Sequence, residues 1–340
     1  MSVENHSLPP PAILMGFVSS MWAAQAVATF AKLGVADLLA AGPKTAAELS
    51  AETKTHPQAL HRLLRGVASV GVLSTEVDGR FGLTPIGECL RADVPGSMRS
   101  FLIAELSAGH WLPWGQLERA VRTGQPSTVP VLGMGAWEYY KQNPEEGAHF
   151  AKAMSGVSAM AMHAVLAVYS FAGARKVVDV GGSHGVFLSA VLKQERDARG
   201  VLFDLPEVVK GAGDALAAEG VLDRVERVGG SFFDAVPSGG DVYLLKFVLH
   251  DWSDEECVRI LTNVREAMAA DAKVVVVEMP IVPEGPPSPA PLLDLNMLVM
   301  LTGKERTPDE YAALFARAGL RLSGVTPTPS PFAVLEARRA

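Results

Sequence analysis

The chain of 340 residues has few cysteines and no excess of positive charge. Cys89 and Cys257 are its only cysteines, and two isolated cysteines in a chain this long favour a reducing, cytoplasmic setting over a disulfide framework. The formal net charge of −7 argues against a general nucleic-acid binder, which needs basic surface to neutralise phosphates. The sequence therefore predicts no nucleic-acid partner.

Signals for export and membrane insertion are also missing. The first residues, MSVENHSLPPPAILMG, lack the basic segment and long apolar core of a signal peptide. No uninterrupted apolar run reaches the length of a transmembrane helix, and the run LLDLNMLVML is short and carries Asp294. Apolar residues make up 49% and charged residues 20%, as is typical of soluble globular proteins. We therefore predict a cytoplasmic protein with no membrane partner.

The first part of the chain, residues 1–100, has a helical pattern. The stretch AAQAVATFAKLGVADLLAAG is expected to end at Gly42, and a second helix, TKTHPQALHRLLRGVASVGV, follows the capping-box sequence TAAE. Asp78-Gly79 then predicts a hairpin, so the order of elements resembles a winged helix. Residues 1–100 hold eight basic and eight acidic residues, which favours packing or dimerisation over DNA binding. A transcription regulator remains an alternative hypothesis.

The second part alternates between strands and helices. The predicted strands are 176–180, 200–204, 225–230, 241–249 and 272–279, followed by a last strand, FAVLEARR, that could be antiparallel. Helices are predicted at 206–219, 254–270 and 308–318. This alternation is typical of a mostly parallel, doubly wound α/β sheet, and such sheets bind ligands at the carboxyl ends of their strands.

A glycine turn follows the first of these strands in VVDVGGSHG. It is not a dinucleotide fingerprint, because Ser183 and Val186 stand where that pattern needs glycine, and this disfavours a nicotinamide-dependent oxidoreductase. Asp179 in this strand and Asp204 at the end of the next one are acids that suit a cationic nucleoside. S-adenosylmethionine fits that description. Alternatively, Asp204 could cap the helix that starts near Pro206.

Six motifs occur in order along the chain: VVDVGGSHG, FDLPEVV, VGGSFF, LLKFVLHDWSDEE, VVVVEM and GKERTPDEYAALFARAGL. Together they resemble the S-adenosylmethionine-dependent O-methyltransferases of the plant caffeate/flavonoid type and their bacterial natural-product relatives. The resemblance implies a class I methyltransferase fold, with a Rossmann-like doubly wound sheet and an N-terminal, mostly helical winged-helix dimerisation domain. It also implies a homodimer, no metal and a small hydroxyl acceptor. We expect a dimerisation domain at 1–100, a helical linker with acceptor-pocket residues at 101–170, and the S-adenosylmethionine-binding domain at 171–340.

The resemblance assigns the cofactor contacts. They fall on Gly181, Asp204, Leu205, Phe232 and Lys246. The glycine turn is expected near the methionine part, and Asp204 at the ribose hydroxyls. Ser231 stands where members of the family usually carry an acid at the adenine, and its hydroxyl can still form a hydrogen bond there without charge.

The stretch LLKFVLHDWSDEE suggests a catalytic base. We assign SDEE to a helix start, in which Ser253 and Glu256 form a capping box. His250 is expected at the end of the preceding strand, and a neutral imidazole can take a proton when a carboxylate orients it. In the family that the chain resembles, the matching histidine is the general base, and glutamates matching Glu278 and Glu305 hold its ring. The neighbouring Asp251 is expected to support the local turn or the cofactor.

Spacing alone does not identify the residues of the acceptor pocket, because apolar residues at helical spacing are usually core. The resemblance favours five residues as acceptor contacts: Met154, Asp294, Asn296, Met297 and Met300. The expected reaction is methylation of a hydroxyl, phenolic by preference, on a small aromatic or polyketide-type natural product. A relative on the same fold that acts as a decarboxylase, hydroxylase or non-methylating binding protein remains an alternative.

Overall fold

The computed structural model describes residues 9–283, 285 and 287–340. The chain divides into two compact units, one with Met1–Leu112 and Trp137–Gly156 and the other with Pro113–Ala136 and Val157–Ala340. Residues 1–8, which form half of the segment considered above for a signal peptide, lie outside the described residues.

The N-terminal half is mostly helical. Its elements in chain order are α1 (Pro10–Lys32), α2 (Val35–Leu38), α3 (Ala46–Thr53), α4 (Pro57–Ser69), β1 (Leu73–Thr75), β2 (Phe81–Leu83), α5 (Pro85–Glu88), α6 (Arg99–Glu105), α7 (Ala108–Trp114), α8 (Leu117–Thr123), α9 (Thr128–Leu132), α10 (Ala136–Gln142) and α11 (Pro144–Leu166). The predicted hairpin is confirmed, because β1 and β2 pair antiparallel around the turn that contains Gly79. The capping box of Thr45 and Glu48 at the start of α3 is also confirmed.

The expected helix end at Gly42 is wrong. Helix α1 ends at Lys32, because Gly34 takes a left-handed backbone with φ of 68° and redirects the chain. Helix α4 buries the stripe of Leu60, Leu64 and Val67 against the core of this unit, as its spacing predicts.

Helix α1 bears on the prediction of no membrane partner, which stays a prediction. Among the described residues it is the one helix that is long and apolar enough to cross a bilayer, by length and composition alone. The sequence test for an uninterrupted run missed it, because serines and Gln25 separate its apolar residues. Only 11% of its most apolar window is buried, and Met15, Phe17 and Trp22 are exposed. Exposed apolar faces of this kind are typical of protein–protein or membrane contacts.

The second unit contains a seven-stranded sheet. Its strands are β3 (Lys176–Val180), β4 (Arg199–Asp204), β5 (Val225–Gly229), β6 (Val242–Lys246), β7 (Lys273–Glu278), β8 (Leu320–Pro327) and β9 (Ala333–Arg339). The main helices between them are α12 (Val186–Gln194), α13 (Pro206–Gly211), α14 (Gly213–Ala218), α15 (Asp254–Ala267), α16 (Ala290–Met300) and α17 (Pro308–Arg317), and short 3₁₀ turns occupy Leu222–Arg224 and Leu249–Asp251. Strands β3, β6 and β7 are buried almost throughout because two apolar clusters pack against the sheet.

The strand order is β5-β4-β3-β6-β7-β9-β8. The first five strands of this order are parallel, and β9 pairs antiparallel with both β7 and β8. The predicted doubly wound, mostly parallel sheet and its antiparallel last strand are confirmed. The sequence pattern missed the edge strand β8, which has a register irregularity between Leu322 and Gly324. It also joined α13 and α14, which separate at Ala212.

Candidate active site

His250 lies in a turn beyond the carboxyl end of β6. The prediction that it ends the strand itself is wrong, because β6 stops at Lys246. Phe247 then takes a left-handed backbone with φ of 53°, which is unusual for a bulky residue and redirects the chain into the 3₁₀ turn that holds His250. Helix α15 follows directly, and the predicted capping box of Ser253 and Glu256 is confirmed. The turn is thus fixed on both sides.

Three carboxylates surround the His250 imidazole. Nδ1 lies 2.8 Å from Oε1 of Glu305 and 3.8 Å from Oε2 of Glu278. Nε2 lies 3.4 Å from Oδ1 of Asp251. The side chain of His250 is 14% exposed, and those of Glu278 and Glu305 are fully buried. An Nδ1–H donated to Glu305 would leave Nε2 as the nitrogen able to exchange a proton with a ligand.

The carboxylates have fixed positions of their own. Oε1 of Glu278, at the end of β7, accepts hydrogen bonds from the backbone N–H groups of Leu249 (3.0 Å) and His250 (3.3 Å). The backbone N–H of Glu305 donates to Oδ1 of Asp294 on α16 at 2.9 Å. Among the described residues, Oε2 of Glu278 and Oε2 of Glu305 have no hydrogen-bond partner. The site is therefore rigid and rich in negative charge.

This environment controls protonation. Burial lowers the pKa of His250, but the charges of Glu278, Asp251 and Glu305 outweigh it and raise that pKa to about 10. Burial raises the pKa of Glu278 to about 7, and burial also raises the pKa of Asp251. At neutral pH this environment therefore favours the protonated imidazole. The short distance between Asp251 and Nε2 is not what the sequence predicts, since Asp251 is expected at the turn or the cofactor.

The glycine turn after β3 approaches other groups closely. Gly181 has φ of 72°, and a Cβ added there would lie 3.0 Å from Val248 Cγ2. A Cβ on Gly182 would lie 2.6 Å from the carboxyl carbon of Asp179. Asp179 is buried, which raises its pKa to about 7, and its Oδ2 has no partner among the described residues. We call Gly181 and Gly182, together with the buried Asp179 carboxylate beside them, the cradle.

Asp204 lies at the end of β4, beside the same turn. Its Oδ2 accepts a hydrogen bond from the backbone N–H of Ser183 at 2.8 Å, and its Oδ1 accepts one from Leu205 at 2.7 Å. The alternative capping role is not supported, because no side chain caps α13 and its N-cap residue is Leu205. Leu205 is 48% exposed, as an apolar contact for a ligand would require. Asp204 therefore connects the glycine turn to the start of α13, and both segments contain predicted cofactor contacts.

The remaining predicted cofactor residues lie near this cradle or on β6, the strand beside β3. The edge of the Phe232 ring is 3.7 Å from the Cβ position of Gly181, and the ring packs against Trp252. The Ser231 hydroxyl accepts a hydrogen bond from the Phe233 N–H at 3.2 Å. Lys246 Nζ donates to Ser158 Oγ at 2.7 Å. Burial lowers the pKa of Lys246, although the charge of Asp179 acts to raise it. Two acids, a turn that begins with two glycines and partly exposed apolar groups fit S-adenosylmethionine.

Four of the five predicted acceptor residues lie on α16, but their contacts differ. Asp294 contacts the Glu305 loop, as described above, whereas Oδ1 of Asn296 accepts a hydrogen bond from Trp114 Nε1 at 2.7 Å. Met297 and Met300 are buried, and Met300 belongs to a small core cluster with Val299. Met154 is half-buried on α11, in the part of that helix that belongs to the helical unit. Only Asp294 is thereby linked to His250.

The side chains of His250, Glu278 and Glu305 are close enough together to bind a cation. Ligand atoms of His250, Glu278 and Glu305 all lie within 4.8 Å of one another. A hydrogen-bonded imidazole–carboxylate pair accounts for this proximity equally well. The expected absence of a metal therefore stays a prediction, to be tested with a chelator.

Comparison with known proteins identifies the family. Residues 114–321 match the family model described as an O-methyltransferase domain, and residues 15–93 match an O-methyltransferase dimerisation domain. The second match includes most of α1, whose apolar face suits a dimerisation element.

Named relatives agree with these matches. The chain is 40% identical to a phenazine O-methyltransferase of Lysobacter antibioticus, over 98% of this chain and 97% of the relative. It is 37% identical to the mitomycin biosynthesis 6-O-methyltransferase of Streptomyces lavendulae, over 94% of this chain and 92% of the relative.

A solved structure supports the fold and the donor. The O-methyltransferase NcsB1 from neocarzinostatin biosynthesis, crystallised with S-adenosylmethionine and 2-hydroxy-5-methyl naphthoic acid, superposes with a TM-score of 0.81 at 35% identity, covering 93% of this chain and 96% of that one. The resemblance seen in the motifs and the predicted fold class are confirmed. The chain therefore belongs to the O-methyltransferase family, and it is an enzyme whose methyl donor is S-adenosylmethionine.

Proposed function

We propose that this enzyme methylates a hydroxyl, phenolic by preference, of a small aromatic or polyketide-type natural product, with His250 as the general base. The observation that carries the proposal is the imidazole environment. Nδ1 lies 2.8 Å from the buried Glu305, so that carboxylate can hold the ring and its tautomer. Relatives named for phenazine and mitomycin methylation, and the naphthoic acid bound in NcsB1, support the substrate class.

The chemistry is a direct displacement. S-adenosylmethionine supplies a methyl group on a positively charged sulfur. The acceptor oxygen forms the new bond to the methyl carbon, the carbon–sulfur bond breaks with its electron pair going to sulfur, and the hydroxyl proton goes to Nε2 of His250. Glu278 and Glu305 then stabilise the imidazolium. In-line placement of the oxygen contributes as well, because correct orientation alone can supply several kcal/mol.

The raised pKa of His250 suits a phenol. A phenol with a pKa of about 10 and an ordinary histidine of about 6.5 are separated by roughly 5 kcal/mol of proton-transfer free energy. A His250 pKa of about 10 removes most of that gap. The same pKa leaves the imidazole of the free enzyme mostly protonated at neutral pH, so we expect turnover to rise with pH. A positive sulfur close to the ring would lower the His250 pKa, because like charges disfavour the charged form.

The remaining cofactor and acceptor assignments are part of the proposal. Gly181, Asp204, Leu205, Ser231, Phe232 and Lys246 would contact the donor. Asp294, Asn296, Met297, Met300 and Met154 would contact the acceptor. The apolar residues Met15, Phe17 and Trp22 on α1 support a homodimer formed through the dimerisation domain. The proposal is therefore a homodimer that acts in the cytoplasm on a small molecule.

One experiment tests the function. The wild-type enzyme is incubated with methyl-labelled S-adenosylmethionine and a panel of phenols, quinols, polyketide aromatics and matched anilines. We expect labelled methyl ethers with the wild type and loss of most turnover in His250→Ala, with donor binding retained by calorimetry. His163, which lies near the end of α11, provides His163→Ala as a control. Near wild-type turnover in His250→Ala would rule out the base, and label transfer to anilines alone would rule out the hydroxyl acceptor.

A further inference from the structure

The loop before α17 contacts the His250 turn, backbone against backbone. A Cβ added to Gly303 would lie 1.9 Å from the carbonyl oxygen of His250, 2.5 Å from the carbonyl carbon of Asp251 and 2.6 Å from the backbone nitrogen of Trp252. No side chain fits in these distances, and all three atoms belong to backbone, which cannot move aside as a flexible side chain can. Glycine at this position therefore permits the closest approach of the two segments.

Arg306 holds the same two segments together three residues later. Its side chain is 1% exposed, and its guanidinium donates to the carbonyl oxygens of Leu249 and Trp252, each at 3.0 Å. Nε and Nη2 also donate to Oδ1 of Asp254, at 3.0 and 2.7 Å. Leu249 and Trp252 flank His250 and Asp251 in sequence. A planar guanidinium can span these acceptors at once, whereas a lysine ammonium cannot.

Glu305 lies between these two contacts in sequence. Its carboxylate reaches Nδ1 of His250 at 2.8 Å, and its side chain is fully buried. The backbone of Arg306 is fixed in turn, because its carbonyl oxygen accepts a hydrogen bond from the Ile281 N–H at 3.0 Å. A small movement of this loop would lengthen the bond between Glu305 and the imidazole.

We propose that Gly303 and Arg306 are positioning residues that hold the Glu305 carboxylate against Nδ1 of His250 and so set the state of the base. The proposal rests on the proposed function only where it calls His250 the base. Neither residue has to touch donor or acceptor. A misplacement of about 1 Å at such a site can reduce turnover about 10²-fold.

The test uses Arg306→Lys and Gly303→Ala in the full-length enzyme. Matched controls are Arg317→Lys, whose guanidinium pairs with Glu255 at 3.2 Å and is 47% exposed, and Gly324→Ala, where nothing lies within 4 Å of the added Cβ. We expect kcat to fall about 10²-fold in both test variants, with donor affinity changed less than threefold. We also expect the pKa of His250, followed by NMR of labelled histidine, to move towards its ordinary value. Neither change is expected in the controls.

The NMR titration separates this proposal from the base assignment. It reports on the contact between His250 and Glu305 even if His250→Ala remains active. A His250 pKa equal to that of the wild type in folded Arg306→Lys or Gly303→Ala would overturn the proposal. If both variants fail to fold, Asp254→Asn weakens the same contact at a side chain that is 35% exposed. An unchanged His250 titration in that folded variant would overturn the proposal too, and a lowered pKa would support it.

Discussion

Replacing Glu305 by glutamine removes one of the three negative charges around His250 and leaves the size of the side chain nearly unchanged. The rise of the His250 pKa from 6.5 to about 10 corresponds to roughly 5 kcal/mol, at about 1.4 kcal/mol per pKa unit. Because three carboxylates share this effect, loss of one should lower the pKa by about 1. The amide oxygen can still accept the Nδ1 hydrogen bond, so the ring should keep its orientation.

The assay is the pH dependence of kcat/KM, which reports ionisations of the free enzyme. The base acts only when neutral, so activity rises as pH increases through the His250 pKa. Lowering that pKa moves the rise to lower pH, by about 1 pH unit in Glu305→Gln, and the weaker base reduces the plateau rate. Glu310→Gln is a suitable control, since Glu310 is the third residue of α17 and its carboxylate completes the capping box with Thr307. A rise at the wild-type pH in Glu305→Gln would refute the electrostatic reasoning.

Three further predictions concern the donor cradle and the metal question. Asp204→Ala should weaken S-adenosylmethionine binding about tenfold or more by calorimetry, through loss of hydrogen bonds to a charged group; equal affinity would reject the ribose assignment. Excess chelator should leave activity unchanged, whereas a loss restored by one added metal would indicate a metal centre at His250. Asp179 has a folded-state pKa of about 7 against 3.8, so it destabilises the donor-free fold progressively as pH rises from about 4 to 7. In wild type the free energy of unfolding should fall by roughly 4 kcal/mol over that range because of Asp179, and in Asp179→Asn this fall should be absent. Denaturant titrations at several pH values measure it, and the same pH dependence in both proteins would contradict the prediction.

Much of the site could be predicted because its residues follow apolar strands. Glu278 and Asp204 each end a strand, and strands that run parallel bring their carboxyl ends to one edge of the sheet. Short capping motifs are equally local, so the boxes at Thr45 and Ser253 were found from four residues each. Signals that depend on neighbours in sequence were therefore sufficient for these parts.

Other features depend on tertiary contacts that no local pattern contains. The early end of β6 follows from the left-handed backbone of Phe247. An aromatic residue rarely takes this conformation, so the sequence does not predict it. The roles of Gly303 and Arg306 become visible only when the turn of His250 lies against their loop. Spacing alone also could not separate a pocket residue from a core residue at Met300, because both need an apolar side chain.

The hydrogen bond from the Glu305 N–H to Asp294 has a practical consequence for engineering. Helix α16 carries most of the residues proposed to contact the acceptor, so it is a natural segment to exchange when making chimeric enzymes with a new substrate range. Yet Asp294 on that helix also anchors the loop beside the imidazole. A transplanted helix without an acceptor side chain at position 294 would alter reactivity together with selectivity, and libraries that vary this helix should therefore leave that one position constant.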